Sequence, residues 1–384
     1  MDLETAKFLL SPQGSELLRE AATLQGSFLS KITILRRKYP PPIANAAIEL
    51  LELRKRAESK FSLAHEMFFT REALEQASSE TISRYRAERY KSDAKVLDLA
   101  CGIGGDTIGL AERCLVTAVD KDPVRILMAE RNLEVYGLSS RVKFICADVT
   151  SIPLDAEAAF LDPSRRANGK RVVHLDEISP SREFIHHLIS EIPDCGIKLS
   201  PAMEYSELES LEGEIEFISE HRVCKEALVW LGNFKTTHIR ATVLPEKASL
   251  VSDGHGTVSA RPPGKYLYEP DPCVVRAHLV EKLAWEIGAW KIDEQIAFLS
   301  STMLVHTPFA SPYEIIESLP FNLKELKKRL RGLDAGRVVI KKRGVAYSPV
   351  EIEKRLNLSG SHEFVLILSR LMNTPWVFIC LPAG

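Results

Sequence analysis

The sequence predicts an α/β protein. A mostly parallel sheet, covered by helices on both faces, lies between a helical N-terminal module and a mixed α/β C-terminal region. Three observations predict this. Residues 1–92 carry apolar positions at three- and four-residue spacing, with charged faces between them. The texture then changes, and "KVLDLACGIGGDTIGLAERC" runs from an apolar strand through a glycine turn into a helix. "LVTAVDKDPVRILMAERNLEVYG" repeats that plan. Short strands alternating with helices imply parallel pairing, because each helix carries the chain back to start the next strand beside the last.

The helical module reads as "SELLREAATL", "ANAAIELLELRKRAESK" and "REALEQASSETISRYRAERY", with a break at "KYPPPI" and a helix start at Thr70. On its last helix Arg86 and Arg89 lie near Tyr85 and Tyr90; packing against the sheet is expected, with base stacking or a lid as the alternative. The sheet domain is expected over residues 93–246, with further strands at "VKFICADV", "AAFLDPS", "GIKLSPAM", "CKEALVWLG" and "IRATVLP". "SDGHGTVSARPPGKY" reads as a linker and opens a small, ferredoxin-like α/β region over 247–322. Residues 323–384 form a last part, whose end reads strand, helix, strand, strand.

Length and composition bound the class. With 384 residues, 45% of them hydrophobic, the chain is long enough for two or three packed domains. Its seven cysteines are scattered, with no C-x-x-C and no zinc-finger or iron–sulfur spacing, so no metal is expected and a reducing cytoplasm is. The start, "MDLETAKFLL", is acidic where a signal peptide is basic. The longest apolar stretch, "FVLILSRLMNTPWVFIC", is broken by Arg370, Asn373 and Pro375, so no membrane span is expected.

The glycine turn spans Asp98 to Thr107. Dinucleotides and S-adenosylmethionine both use such a strand–turn–helix. Gly102 and Gly104 fit either, but Thr107 stands where the dinucleotide pattern needs its third glycine. Asp98 and Asp106 would repel a pyrophosphate and attract a cationic sulfonium and ammonium. The charge pattern therefore points to S-adenosylmethionine. Asp120, about 20 residues on, ends the second strand and suits ribose hydroxyls. Asp148 ends the third and suits an adenine amino group. Ala100, Cys101, Lys121 and Val149 belong to the same turns and complete the expected cofactor site.

The fourth strand ends in "DPSRR". Many methyltransferases acting on exocyclic amines carry [DN]-P-P-[YFW] at this point, where the acid orients the target nitrogen. Here Asp162 and Pro163 remain, while Ser164 and Arg165 replace the second proline and the aromatic. Asp162, Pro163 and Ser164 are the expected catalytic residues. Arg165 and Arg166, with Lys170 and Arg171 following, place positive charge where a substrate phosphate backbone would lie. "KLSPAMEY" follows the fifth strand, and Lys198, Ser200 and Pro201 are weak candidates for the far wall.

Toward the end, Lys324, Lys327, Lys328, Arg329, Arg331, Arg337, Lys341, Lys342 and Arg343 face only Glu325 and Asp334 across twenty residues. So local a surplus is the usual electrostatic footprint of a nucleic-acid binder. Lys341, Lys342 and Arg343, in a strand that leads into a glycine turn, are the expected phosphate grip.

Taken together, "VLDLACGIGGDT", "AVDKDP" and "DPSRR" resemble bacterial Rossmann-like class I S-adenosylmethionine-dependent methyltransferases with a C-terminal THUMP-like domain. The glycine turn is also similar to that of the RNA cap guanine-N2 methyltransferases. "FFTREALEQASS", "YRAERY", "GKYLYEPDPCVVRAHLV" and "IKKRGV" to "PWVFIC" fit the same family. The resemblance implies a methyltransferase sheet and an RNA substrate, rRNA or tRNA, modified at a base nitrogen. The alternatives are a non-catalytic RNA-binding protein that keeps the fold, a nicotinamide-dependent oxidoreductase, and a methyltransferase for proteins or small molecules.

Overall fold

The computed structural model describes every residue except 166–172 and 255. It divides into two compact units, Met1–Ile215 with Glu226–Thr236, and Glu216–Lys225 with Thr237–Gly384. This is not the expected four-part division. No boundary falls near residue 92, because the helical module packs on the sheet. Likewise the expected 247–322 and 323–384 regions share one sheet.

The first unit opens with α1 (Leu3–Leu10), α2 (Pro12–Thr23), α3 (Phe28–Leu35), α4 (Pro41–Ala57), α5 (Arg71–Gln76) and α6 (Glu80–Ala87). Asp2, Ser11, Ser27, Thr70 and Ser79 each cap a helix by accepting a backbone N–H. The break at "KYPPPI" is the start of α4, whose first residue is Pro41; a proline there lacks only an N–H that would go unbonded anyway. Helix α4 turns Ala44, Ala47, Ile48 and Leu50 inward.

The sheet follows as β1 (Lys95–Leu99), α7 (Gly105–Ala111), β2 (Leu115–Asp120), α8 (Pro123–Val135), β3 (Val142–Cys146), β4 (Ala158–Leu161), the short pair β5 (Ser164–Arg165) and β6 (Ile178–Ser179), α9 (Arg182–Glu191), β7 (Cys195–Leu199), α10 (Tyr205–Glu209), β8 (Glu214–Glu220) and β9 (Val223–Trp230). Strands β3, β2, β1, β4 and β7 pair in that order, all parallel. β9 joins β7 antiparallel, with Leu199 opposite Ala227. All of β4 and four of the five residues of β1 are buried, as covering both faces of a parallel sheet requires. From β1 the order runs one way to β2 and the other way to β4. This reversal opens a crevice at the carboxyl ends of the strands. α6 is pinned to α7 there: the Ser83 hydroxyl donates to the Asp106 carbonyl and accepts from Gly109 N, both at 3.0 Å.

The second unit contains the hairpin β10 (Ile239–Leu244) and β11 (Ala248–Val251). It continues with β12 (Tyr266–Pro270), α11 (Pro272–Arg276), α12 (Val280–Glu286), β13 (Trp290–Asp293), β14 (Ile296–Ser301), β15 (Ala310–Pro320), α13 (Leu323–Gly332), β16 (Ala335–Lys342), α14 (Pro349–Leu356), β17 (His362–Leu371) and β18 (Thr374–Pro382). The seven strands β12 to β18 form one sheet in the order β13-β14-β12-β15-β18-β17-β16. The apolar run "EFVLILSRL" is its β17. Leu366 and Leu368 pack under Leu326, Leu330, Ile352 and Leu356 of α13 and α14. Val365 and Ile367 point the other way, against Ile292, Phe298 and Phe378. Among the described residues no helix is long and apolar enough to cross a membrane.

Candidate active site

The carboxyl ends of β1, β2, β4 and β7 bring together four acids and one lysine. Asp98, in β1, is fully buried. Its Oδ2 accepts a 2.5 Å hydrogen bond from the Thr107 hydroxyl, while Oδ1 is buried with no partner among the described residues. Burial pushes this carboxyl up to about 7; the Thr107 hydroxyl opposes the shift, and the negative charge of Asp162 adds to it.

The turn after β1 is strained and open. Ala100 has φ 63, a left-handed conformation that costs a non-glycine residue about 1–2 kcal/mol. Gly102 has φ 58, and a Cβ built on it would meet nothing within 4 Å. Gly104 has φ 83, strained for any other residue, and a Cβ there would lie 2.7 Å from Leu133 Cδ2 and push that side chain aside, so glycine is favoured. Asn132 on α8 braces the turn from below, its Nδ2 donating to the carbonyls of Ile103 and Phe68 at 3.0 and 3.1 Å. At the end of β2, Asp120 Oδ2 accepts from Gly102 N at 3.0 Å and Oδ1 from Asp122 N at 2.9 Å.

A chain of alternating charge crosses the crevice. Arg86 of α6 is buried and forms ion pairs with Asp106 and, at 3.1 Å, with Glu226. Its guanidinium lies over the Phe160 ring, 4.6 Å from the centroid. Asp106 Oδ2 is 3.9 Å from Lys198 Nζ, which donates at 2.6 Å to Asp162 Oδ2. A 3.5 Å contact from Lys198 Nζ to the carbonyl of Gln76 ties the same ammonium to α5. Asp162 is held in place by its own backbone N–H, which donates to the Leu99 carbonyl.

These features fit a cationic ligand with an extended polar body. The crevice has an unpartnered buried carboxylate oxygen, an open glycine turn and acids at successive strand ends. The comparisons decide the family. An S-adenosylmethionine-dependent methyltransferase of Mycobacterium tuberculosis (strain H37Rv), itself uncharacterized, is 32% identical over 354 residues, covering 88% of this chain and 96% of that one. The chain belongs to the S-adenosylmethionine-dependent methyltransferases. Within this methyltransferase, residues 93–231 match the model of the RNA cap guanine-N2 methyltransferases and 310–382 that of a THUMP-like domain. Residues 2–57 match a domain of unknown function. Trimethylguanosine synthase of Schizosaccharomyces pombe is 36% identical over 96 residues, which is 22% of this chain and 40% of that one. A crystal structure named as a methyltransferase from Porphyromonas gingivalis W83 superposes with TM-score 0.77 at 20% identity, covering 96% of this chain and 98% of that one, and so shares its fold.

The methyltransferase places its expected site residues unevenly. Asp98, Gly102, Gly104, Thr107 and Asp120 converge on the crevice floor. Asp106 does not offer a free charge: its carboxylate is buried and engaged by Arg86. Asp148 is exposed at the rim, and its Oδ1 accepts from the Thr150 hydroxyl and N–H, which hold it below the usual carboxylate range. Lys121 is exposed and Val149 buried. Burial raises the Cys101 thiol well above its ordinary value, so this thiol stays protonated and is no nucleophile. The Ser164 hydroxyl donates to the Ser179 carbonyl at 3.4 Å, and Arg165 pairs through its backbone with Ile178. Arg166, Lys170 and Arg171 lie outside the described residues.

The expected phosphate grip is largely consumed within the second unit. Lys341 Nζ is 2.6 Å from Glu269, and Arg343 donates to the Ala297 carbonyl and lies over the Phe298 ring. Lys342 donates to the Tyr347 carbonyl at 3.0 Å. The residues that the sequence undervalued are Lys198, Arg86 and Asn132. Lys198 is the single charged group in the otherwise apolar strand "CGIKL", and that isolation is the signal that could have found it; Arg86 and Asn132 stand among other polar residues, in "SRYRAERY" and "AERNLEV", and carry no such signal.

Proposed function

We propose that this methyltransferase modifies a nitrogen of RNA, with Asp162 orienting the nucleophile. The observation that carries the reading is the carboxylate at the end of β4. Asp162 Oδ2 is taken by Lys198, while Oδ1 has no hydrogen-bond partner among the described residues and the side chain is 27% exposed. Oδ1 accepts an N–H of the target, with the Pro163 carbonyl as a second acceptor, and the nitrogen lone pair is thereby aimed at the methyl group. The donor supplies a methyl on cationic sulphur, already a good leaving group, so orientation is most of what the protein adds. The lone pair forms the new N–C bond, the C–S pair stays on sulphur, and the displaced N–H proton passes to water.

Asp98, Asp120 and the turn from Ala100 to Gly104 hold the donor. Thr107 keeps Asp98 in place, and Asp148, Lys121 and Val149 flank the adenine end. Support for RNA comes from the two matched family descriptions and from α13. There Lys324, Lys328 and Arg331 are exposed, have no ion-pair or hydrogen-bond partner among the described residues, and recur at i, i+4 and i+7 on one face. Their neighbours are answered locally: Arg329 by Glu325 and Glu317, Lys327 by the Arg355 carbonyl. Such a stripe of unmatched cations complements a phosphate backbone.

The test is nucleoside mass spectrometry of rRNA and tRNA from a deletion strain, where one methylated nucleoside should vanish and return with the wild-type gene. Asp162→Ala should bind S-adenosylmethionine with wild-type affinity and fail to restore the mark. Full restoration by Asp162→Ala would remove Asp162 from the mechanism.

A further inference from the structure

The crevice crowds acids together. Asp98, Asp106 and Asp162 all approach the same strand ends, yet Asp162 has to present one oxygen in a fixed direction. An aspartate at a strand end can turn about χ2, and its two oxygens are chemically equal. Something has to break that equivalence.

We infer that Lys198 is the positioning residue for Asp162: its ammonium pins Oδ2 and leaves Oδ1 as the acceptor that faces substrate. Four observations carry this. The Lys198 Nζ to Asp162 Oδ2 contact is 2.6 Å, a charge-assisted length. The Lys198 side chain is only 13% exposed, so solvent competes weakly for it. Its ammonium is fixed from two further directions, by Asp106 Oδ2 at 3.9 Å and by the Gln76 carbonyl at 3.5 Å. Asp106 is in turn anchored by buried Arg86, so the chain of charges runs from the helical module to the reacting edge of the sheet.

The arrangement also explains why a lysine sits at the end of β7, in a strand otherwise made of Cys195, Gly196, Ile197 and Leu199. A neutral side chain there would leave Asp162 and Asp106 facing each other without an intervening cation. It would also leave the Asp162 carboxylate free to rotate. A compact ammonium on a flexible stem can donate to Asp162 and to the Gln76 carbonyl while its charge stays 3.9 Å from Asp106, which a planar guanidinium does less freely.

The inference rests on the proposed role of Asp162, and the experiment separates the two. Full-length wild type, Lys198→Met, Lys198→Arg, Asp162→Asn and the double variant are compared. Substrate is RNA from the deletion strain, with a radiolabelled methyl donor. Lys198→Met is expected to lower kcat about 10- to 100-fold, the scale of losing one charge-assisted contact. KM for RNA and Kd for donor should stay within about twofold, the insignificant range on this scale. Lys198→Arg should recover part of the loss, and the double variant should be no slower than Asp162→Asn, because a residue acting through another adds nothing once that other is gone. A Lys198→Met enzyme with unchanged kcat, a loss confined to donor affinity, or losses that multiply in the double variant would each overturn the inference. Should wild type bind donor yet methylate no RNA, the RNA reading fails instead. The Lys198 assignment is then decided by crystal structures of wild type and Lys198→Met: a carboxylate of Asp162 that turns or loses definition upholds it, and one that keeps its orientation refutes it.

Discussion

Thr107 Oγ1 donates to Asp98 Oδ2 at 2.5 Å and leaves Asp98 Oδ1 buried without a partner among the described residues. A carboxyl so placed is half ionised near neutrality, since burial has raised it to about 7. A cationic donor favours the ionised form. Affinity for S-adenosylmethionine is therefore expected to rise about tenfold between pH 6 and pH 8, following the ionised fraction. Binding at neutral pH should release protons. Calorimetry in buffers of different ionisation enthalpy measures both, and Asp98→Asn should flatten the dependence while weakening binding.

The same group affects stability with the opposite sign. Its folded midpoint lies above the ordinary aspartate value of 3.8, so folding favours the neutral form. Its contribution to stability is complete below the unfolded midpoint and is lost as pH rises through about 7. Asp98→Asn keeps a neutral group at every pH. The variant should melt a few degrees above wild type at pH 8, on the scale that about 1 kcal/mol produces in a protein this large, with the difference closing near pH 4. Thermal unfolding at the two pH values checks this.

Arg86→Met tests the buried end of the charge chain. Arg86 is 3% exposed at its side chain and answers both Asp106 and Glu226. Removing it takes the guanidinium away from two buried carboxylates, and loss of one partner from such a network costs about 3–5 kcal/mol. The first unit's urea midpoint should fall accordingly. A shift below about 0.5 kcal/mol, typical of surface changes, would mean that the network is dispensable.

Gly104→Ala adds a methyl 2.7 Å from Leu133 Cδ2 at a residue with φ 83. Strain and overlap together should cost about 1–3 kcal/mol. On the proposed assignment of this turn to the donor, affinity should also fall, which equilibrium binding would show.

Helix α13 separates packing from binding. Lys324→Gln, Lys328→Gln and Arg331→Gln combined should leave the melting temperature nearly unchanged. The slope of log affinity for single-stranded RNA against log salt should become shallower by about 2, since each lost phosphate contact removes about 0.7. Leu330→Ala, in the core beneath the same helix, should instead cost about 2–5 kcal/mol with little direct effect on the salt slope.

Much of this protein was legible before any coordinates. The strand–turn–helix at Asp98 to Thr107 and the strand–helix–strand–strand end follow from local patterning, and the family from the resemblance carried by "VLDLACGIGGDT", "AVDKDP" and "DPSRR". The identities of neighbouring residues determine such features: glycine permits a left-handed turn, and alternating apolar patterns choose strand or helix. What the tertiary structure alone decided is which charges are free. Asp106 looked like a donor ligand but is neutralised by Arg86, twenty residues earlier in the chain. Lys341 and Arg343 looked like a phosphate grip but are met by Glu269, Ala297 and Phe298 from other strands. Lys198 looked like a wall residue but holds Asp162, from a strand thirty-six residues away. An ion pair depends on distances through space of a few ångströms. Sequence order carries those distances only within one element, so pairing between elements emerges when the sheet assembles.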